Sequence, residues 1–155
     1  MNFQLREVLP QDLTLSAAQC EASVWGSADP VRVLNENIKF WSAQRDPLLL
    51  LALDVAGIVV GFRYAHALPA ENGKSILYDQ NGGVAPAARR HGIGRALLRE
   101  QHRIAKQRGY SVIRTGVAVA LKPMIILNLQ EGFDITALYW DENFRTQVLA
   151  FEKKL

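Results

Sequence analysis

Twelve residues, Val84-Ala-Pro-Ala-Ala-Arg-Arg-His-Gly-Ile-Gly-Arg95, constrain what this chain can fold into more than any other stretch. A strand pattern runs out at Val84, and a basic loop with Gly92 and Gly94 then leads into a helix expected from about Gly94 to Arg108. That helix carries an apolar stripe of Ile93, Ala96, Leu97, Ile104 and Ala105, with Arg95, Arg99, Arg103 and Lys106 turned outward. A strand handing over to an amphipathic helix lays the helix on the face of a sheet, an α/β arrangement. The two glycines lack a Cβ, so the backbone can turn tightly and approach a ligand closely. N–H groups in the first helical turn have no intrahelical acceptor, and the helix dipole adds positive charge there. Arg89, Arg90 and Arg95 add fixed charge and forked donors. A pyrophosphate is expected at this corner.

The remaining composition narrows the partners. With 155 residues, 49% hydrophobic and 21% charged, the chain is expected to form one domain over 1–155. Its longest apolar runs, Leu48–Leu53 and Ile58–Val60, are too short to span a bilayer, so no membrane partner is expected. Residues Met1–Pro10 alternate charged and apolar, as a first strand would, rather than forming a signal pattern. Cys20 is the single cysteine, which excludes an internal disulfide and suits a cytoplasmic location. On its expected helix it reads as a small buried thiol. Of eighteen lysines and arginines, eight fall between Arg89 and Arg114 against one acid, Glu100, while the other ten face fourteen acids. A basic segment in an otherwise acidic chain points to an anionic ligand. No aromatic accompanies the arginines from Arg89 to Arg108, so stacking on nucleic acid is not expected.

Along the chain, Phe3–Val8 alternates as a strand, and Asp12 to Trp25 repeats at helical spacing with Asp12 as the expected N-cap. Asp29-Pro30 opens a second helix through Trp41. Leu48–Asp54 and Ile58–Ala67 read as strands joined at Ala56-Gly57, with Pro69–Lys74 as a turn. Ser75–Ala85 follows, and Gly82-Gly83 marks an expected bulge. After the helix to Arg108 come a strand Ser111–Val119, a helix Pro123–Glu131 stopped by Gly132, and strands Ile135–Trp140 and Thr146–Lys153. The order β-α-α-β-β-β-α-β-α-β-β predicts a mixed sheet of about seven strands with helices on both faces.

This order, with this loop after the fourth strand, resembles the GNAT superfamily of acetyl-CoA-dependent N-acetyltransferases. The family signature Arg/Gln-x-x-Gly-x-Gly/Ala stands here as Arg89-Arg90-His91-Gly92-Ile93-Gly94, flanked by Val84-Ala85-Pro86 and Ala96-Leu97-Leu98. Glu131-Gly132-Phe133 resembles the Gly-Phe turn after the family's fourth helix. A dinucleotide fingerprint does not fit, because Leu97 stands where its third glycine would be, and no G-K-[ST] follows the glycine loop as a Walker loop would require. The resemblance implies that the amides from Arg90 to Arg95 grip the CoA pyrophosphate. It also implies that the pantetheine arm lies between the splayed fourth and fifth strands, against Val84 and Ala85.

Acetyl transfer to an amine needs an uncharged nitrogen, a polarised thioester carbonyl and a proton for the leaving thiolate. An alkylamine with a pKa of about 10.4 is almost entirely protonated at neutral pH, so a carboxylate or water must accept its proton. Asp79, on the fourth strand where several relatives carry a glutamate, is the candidate base; His66 is a second. A strand N–H near Val84 is expected to face the oxyanion. Many relatives place a tyrosine four residues before the Gly-Phe glycine, where this chain has Asn128. An amide donates a hydrogen bond but not a proton, so Asn128 is expected to touch the cofactor. Tyr139 or Tyr78 would then supply the acid. His91 suits cofactor contact, and His102 is expected to be solvated. Trp25, Phe40, Trp41, Trp140 and Phe144 are candidate walls for an acceptor pocket. The expected activity is acetyl transfer from acetyl-CoA, without a metal, to a small-molecule or peptide amine in a ternary complex. The alternative is a CoA-binding module of the same fold with little catalysis. Relatives commonly dimerise, and the closing strands offer an edge for a second copy.

Overall fold

The computed structural model describes residues 1–155. The elements are β1 (Phe3–Val8), α1 (Leu15–Trp25), α2 (Pro30–Ser42), β2 (Leu48–Asp54), β3 (Val59–Glu71), β4 (Lys74–Val84), α3 (Ile93–Gln107), β5 (Val112–Ala118), α4 (Lys122–Gln130), β6 (Asp134–Asp141) and β7 (Thr146–Lys154). They build one seven-stranded sheet in the order β1-β2-β3-β4-β5-β7-β6, in which only β4 and β5 run parallel. The α3 crossover makes that parallel pair, since a hairpin cannot. No helix is long and apolar enough to cross a membrane.

The run of leucines in β2 is explained by burial on both faces. Leu48, Leu50 and Ala52 join the core shared with Ile93, Leu97, Leu98, Ile104 and Phe133. Leu49 and Leu51 point the other way, into a second core with Leu13, Ala17, Cys20, Trp41, Phe62 and Tyr64. Helices α1 and α2 therefore cover one face, while α3 and the turn after α4 cover the other.

Three local expectations are corrected. Thr14 caps α1, its Oγ1 accepting from the Ala17 N–H at 3.3 Å, because Asp12 is drawn into a preceding 3-10 turn, Pro10–Asp12. The β3–β4 turn is only Asn72-Gly73, both at positive φ, so Pro69 lies inside β3 where the pairing register shifts. The bulge in β4 falls at Gln80, not at the glycines: Tyr64 pairs with Asn81 and Ala65 with Asp79, leaving Gln80 over. Gly83 answers a different demand, because a Cβ there would stand 2.7 Å from Val24 Cγ1 on α1.

Candidate active site

The parallel pair holds only from Ile76–Asp79 against Val112–Thr115. Beyond that point β4 stays with β3 up to Val84, and β5 stays with β7 up to Ala118. The two strands part, and a cavity of about 570 Å³ opens between them. The Ala85 N–H donates to Val60 O in β3, so by alternation the peptide groups of Gly82 and Val84 face the gap. Arg89 folds back along this edge, its Nε donating to Val84 O at 3.1 Å. Ala85 offers no free backbone group, since its carbonyl also accepts from the Ala88 N–H.

At the mouth of the gap the loop lifts into α3. Arg90 and Gly92 both take positive φ, +65° and +78°, on either side of His91. Alternation of this kind turns successive N–H groups inward as an anion-binding nest. The N–H groups of Arg90, His91, Gly92, Ile93, Gly94 and Arg95 donate to no backbone or side-chain acceptor. Six consecutive donors at a helix N-terminus thus face outward, with nothing within 4 Å of where a Gly92 Cβ would stand. Arg90 keeps a guanidinium without a protein partner. Arg95 does not: its Nη1 donates to Glu131 at 2.9 Å and its Nη2 to Gln130 at 2.6 Å. Together with Arg99 it ties α3 to the end of α4, leaving only its backbone N–H for the nest.

Asp79 closes the inner end of the gap. One carboxylate oxygen is ion-paired with Arg63 Nη1, and the other accepts from Gln101 Nε2 at 3.1 Å. Burial pushes its carboxyl above the usual range, against Arg63 and Gln101, which pull it down. Arg63, 5% exposed, is the residue that sequence reasoning missed, although an arginine in the apolar run Val59–Ala65 demands a buried partner. Its Nη2 reaches only the Met124 sulfur at 3.7 Å, and its Nε has no partner. Asn128 is fully buried, and neither atom of its amide is hydrogen-bonded.

Two phenols meet over β5. A Cβ at Gly116 would stand 3.0 Å from the Tyr139 hydroxyl and 3.7 Å from that of Tyr78, so glycine makes room for both beside the gap. Burial, with Tyr139 and Asp79 nearby, raises the Tyr78 hydroxyl above its ordinary value and keeps it protonated. On the same side Trp25 Nε1 donates to Asn81 at 3.0 Å, and Phe144 projects from the β6–β7 loop. Both line the cavity. The other aromatics do not: Trp41 is core, while Phe40 and Trp140 are surface residues.

His66 and His102 are placed differently from one another. Both ring nitrogens of His66 have partners, Ala67 O at 3.1 Å and Gln80 Oε1 at 2.7 Å, and His66 itself does not line the cavity. His102 is not solvated. It is buried against Phe133 with Nδ1 at 3.0 Å from Lys153 Nζ, and burial beside that ammonium lowers its pKa to about 4. Burial also pushes the Cys20 thiol up to about 11, which leaves it inert in the core.

The sequence model described as Acetyltransferase (GNAT) family matches residues 12–133, from before α1 through the turn after α4. This chain belongs to the GNAT acetyltransferase family. No curated protein matches the sequence. Solved structures share the fold at low identity. The chain is similar to a NatC complex structure bound to Gag peptide and CoA, with 15% identity, TM-score 0.79, and coverage of 100% of this chain and 99% of that one. It is also similar to the ribosomal-protein-S18-alanine N-acetyltransferase from Escherichia coli, at 19% identity and TM-score 0.75, covering 99% and 94% of the two chains. The PaiA N-acetyltransferase from Thermoplasma acidophilum, in complex with coenzyme A, aligns over 100% of both chains at 20% identity and TM-score 0.73.

Proposed function

We propose that this GNAT domain transfers an acetyl group from acetyl-CoA to a primary amine by direct attack in a ternary complex. The row of six unpartnered N–H groups from Arg90 to Arg95, at the mouth of the parted strands, carries this reading. Such a row neutralises a diphosphate without enclosing it, and Arg90 adds a charge at the rim. The pantetheine arm then lies along the free edges of β4 and β5, where the peptide groups of Gly82 and Val84 replace the missing strand partner. The fit is supported further by Asn128, whose buried donor and acceptor both lack partners and suit an amide-bearing arm.

The acceptor enters from the α1 side, where Tyr78, Tyr139, Trp25 and Phe144 line the cavity. Its ammonium sheds a proton to water at the open mouth beside Asp141. Asp79 is then a positioning residue rather than the base, because Arg63 and Gln101 already hold both of its oxygens. The neutral nitrogen attacks the thioester carbonyl, and the peptide N–H of Gly82 or Val84 stabilises the oxyanion. The C–S bond breaks, Tyr139 or Tyr78 hands its hydroxyl proton to the departing thiolate, and the surplus proton on the new amide nitrogen passes through water to restore the phenol. Steady-state thiol release with acetyl-CoA and amines tests this: intersecting initial-rate lines are expected, and parallel lines would exclude direct attack. Asparagine in place of the family's tyrosine favours a second reading. If the protein binds CoA yet releases no thiol on any amine, it is a binding module.

A further inference from the structure

The acceptor end of the cavity has a composition of its own. Three charged side chains line the cavity, and Arg63 and Asp79 satisfy each other. That leaves one carboxylate, Asp141, whose Oδ1 accepts from the Asn143 and Phe144 N–H groups, both at 2.9 Å, while its Oδ2 has no partner. Beside the neutral Gln80, Asn81 and Thr146, four aromatic side chains on this side come from four separate elements. Trp25 ends α1, Tyr78 sits on β4, Tyr139 on β6, and Phe144 on the loop after it. One of the rings is held in place by the protein itself. The Trp25 indole is pinned by Asn81, whose amide is in turn held by Glu21 at 2.8 Å. Phe144 has its backbone N–H tied to the Asp141 carboxylate, while its ring stands 81% exposed at the cavity mouth.

We infer that the acceptor is a small monoamine with an aryl or bulky apolar group two or three bonds from the nitrogen, seated between Trp25 and Phe144 with its ammonium toward Asp141. This inference rests on the acetyl-transfer reading of the same site. Size and charge both select it. A cavity of about 570 Å³ lies in the lower half of the range for drug-sized ligands and must also admit the thioester end of the donor. The remaining space suits a ligand of roughly ten heavy atoms. A polyamine or aminosugar would bring several cations to a wall with one free carboxylate, leaving charges desolvated and unpaired. Two aromatic faces at the mouth instead cover a ring and stabilise the adjoining cation.

The test compares 2-phenylethylamine with ethylamine, spermidine and a tripeptide bearing a free N-terminus. Thiol release is the kinetic readout, and calorimetric titration of each amine into CoA-loaded protein is the equilibrium one. The expected result is a kcat/KM for 2-phenylethylamine about thirtyfold or more above ethylamine and above both other amines. Phe144→Ala and Trp25→Leu should each narrow the aryl-to-ethyl ratio about tenfold, through KM. A ratio within threefold, or a preference for spermidine or the tripeptide, would overturn the inference while leaving acetyl transfer standing. If no amine is turned over, saturable binding of 2-phenylethylamine to the CoA complex still supports the pocket, and its absence sinks it. Failure of CoA itself to bind would remove the underlying reading and this inference together.

Discussion

Asn128 is in an unusual position for a buried amide. Its two polar atoms have lost water and gained no partner, a loss that ordinarily costs about 1–3 kcal/mol. Asn128→Leu, with the same branched shape and number of heavy atoms but bulkier ends, removes both unpaired atoms and is expected to stabilise the free protein by up to about 1 kcal/mol. The same change removes a contact for the pantetheine arm, so the rise in melting temperature on adding CoA should shrink. Melting curves with and without CoA check both halves. His102 supplies a pH prediction. Its folded pKa of about 4 lies below the ordinary 6.5, so as pH falls the unfolded chain takes up a proton that the folded protein refuses. Stability should decline from about pH 6.5 to about pH 4, by up to about 3 kcal/mol, and level off below. His102→Gln should flatten that limb in urea titrations run across the range. The sequence marked Asn128 through its departure from a pattern. It gave no sign of the burial of His102, because Phe133 and Lys153 reach that ring from far along the chain.

At the scale of elements, the buried Arg63–Asp79 pair joins β3 to β4 where the sheet begins to part, and Gln101 fastens α3 to the same carboxylate. Arg63→Met leaves a buried carboxylate without its cation and is expected to cost about 3–5 kcal/mol near neutral pH. Without arginine the folded carboxyl pKa lies further above its unfolded value. The deficit should therefore shrink as pH falls toward 4, where protonation removes the unpaired charge. Arg63→Met with Asp79→Asn should recover part of the loss, and a double-mutant cycle by urea unfolding measures it. Strands and helices were legible here wherever hydrophobic period and capping agreed, as in α3. Pairing partners were not. Gly82-Gly83 advertised a bulge, yet the register slips at Gln80, and Gly83 is instead required by Val24 arriving from α1. A glycine needed for a distant helix looks, in sequence, like one needed for its own strand.

Over the whole molecule, the order β1-β2-β3-β4-β5-β7-β6 puts the only parallel pair in the interior of the sheet, and that pair is the one that opens. The four-residue zip at Ile76–Asp79 anchors both strands, while β3 and β7 hold them on their outer sides, so the gap exists before any ligand arrives. The loop and the helix behind it could be read from twelve residues because everything they need is local: two glycines, a helix start and a supply of arginine. The aromatic wall was legible only in Trp25 and Phe144, not in Phe40, Trp41 or Trp140, since it is assembled from α1, β4, β6 and a loop that meet only after folding. Occupancy of the gap should stabilise the fold by about 2.7 kcal/mol at a CoA concentration one hundred times its dissociation constant. The most direct measurement of the central claim is a calorimetric titration of acetyl-CoA into the parent protein and Gly92→Val. A β-branched residue cannot hold φ +78° without strain, so it distorts the nest. Saturable one-site binding to the parent is expected, weakened tenfold or more in the variant. No binding to the parent, or equal affinity in both proteins, would contradict it.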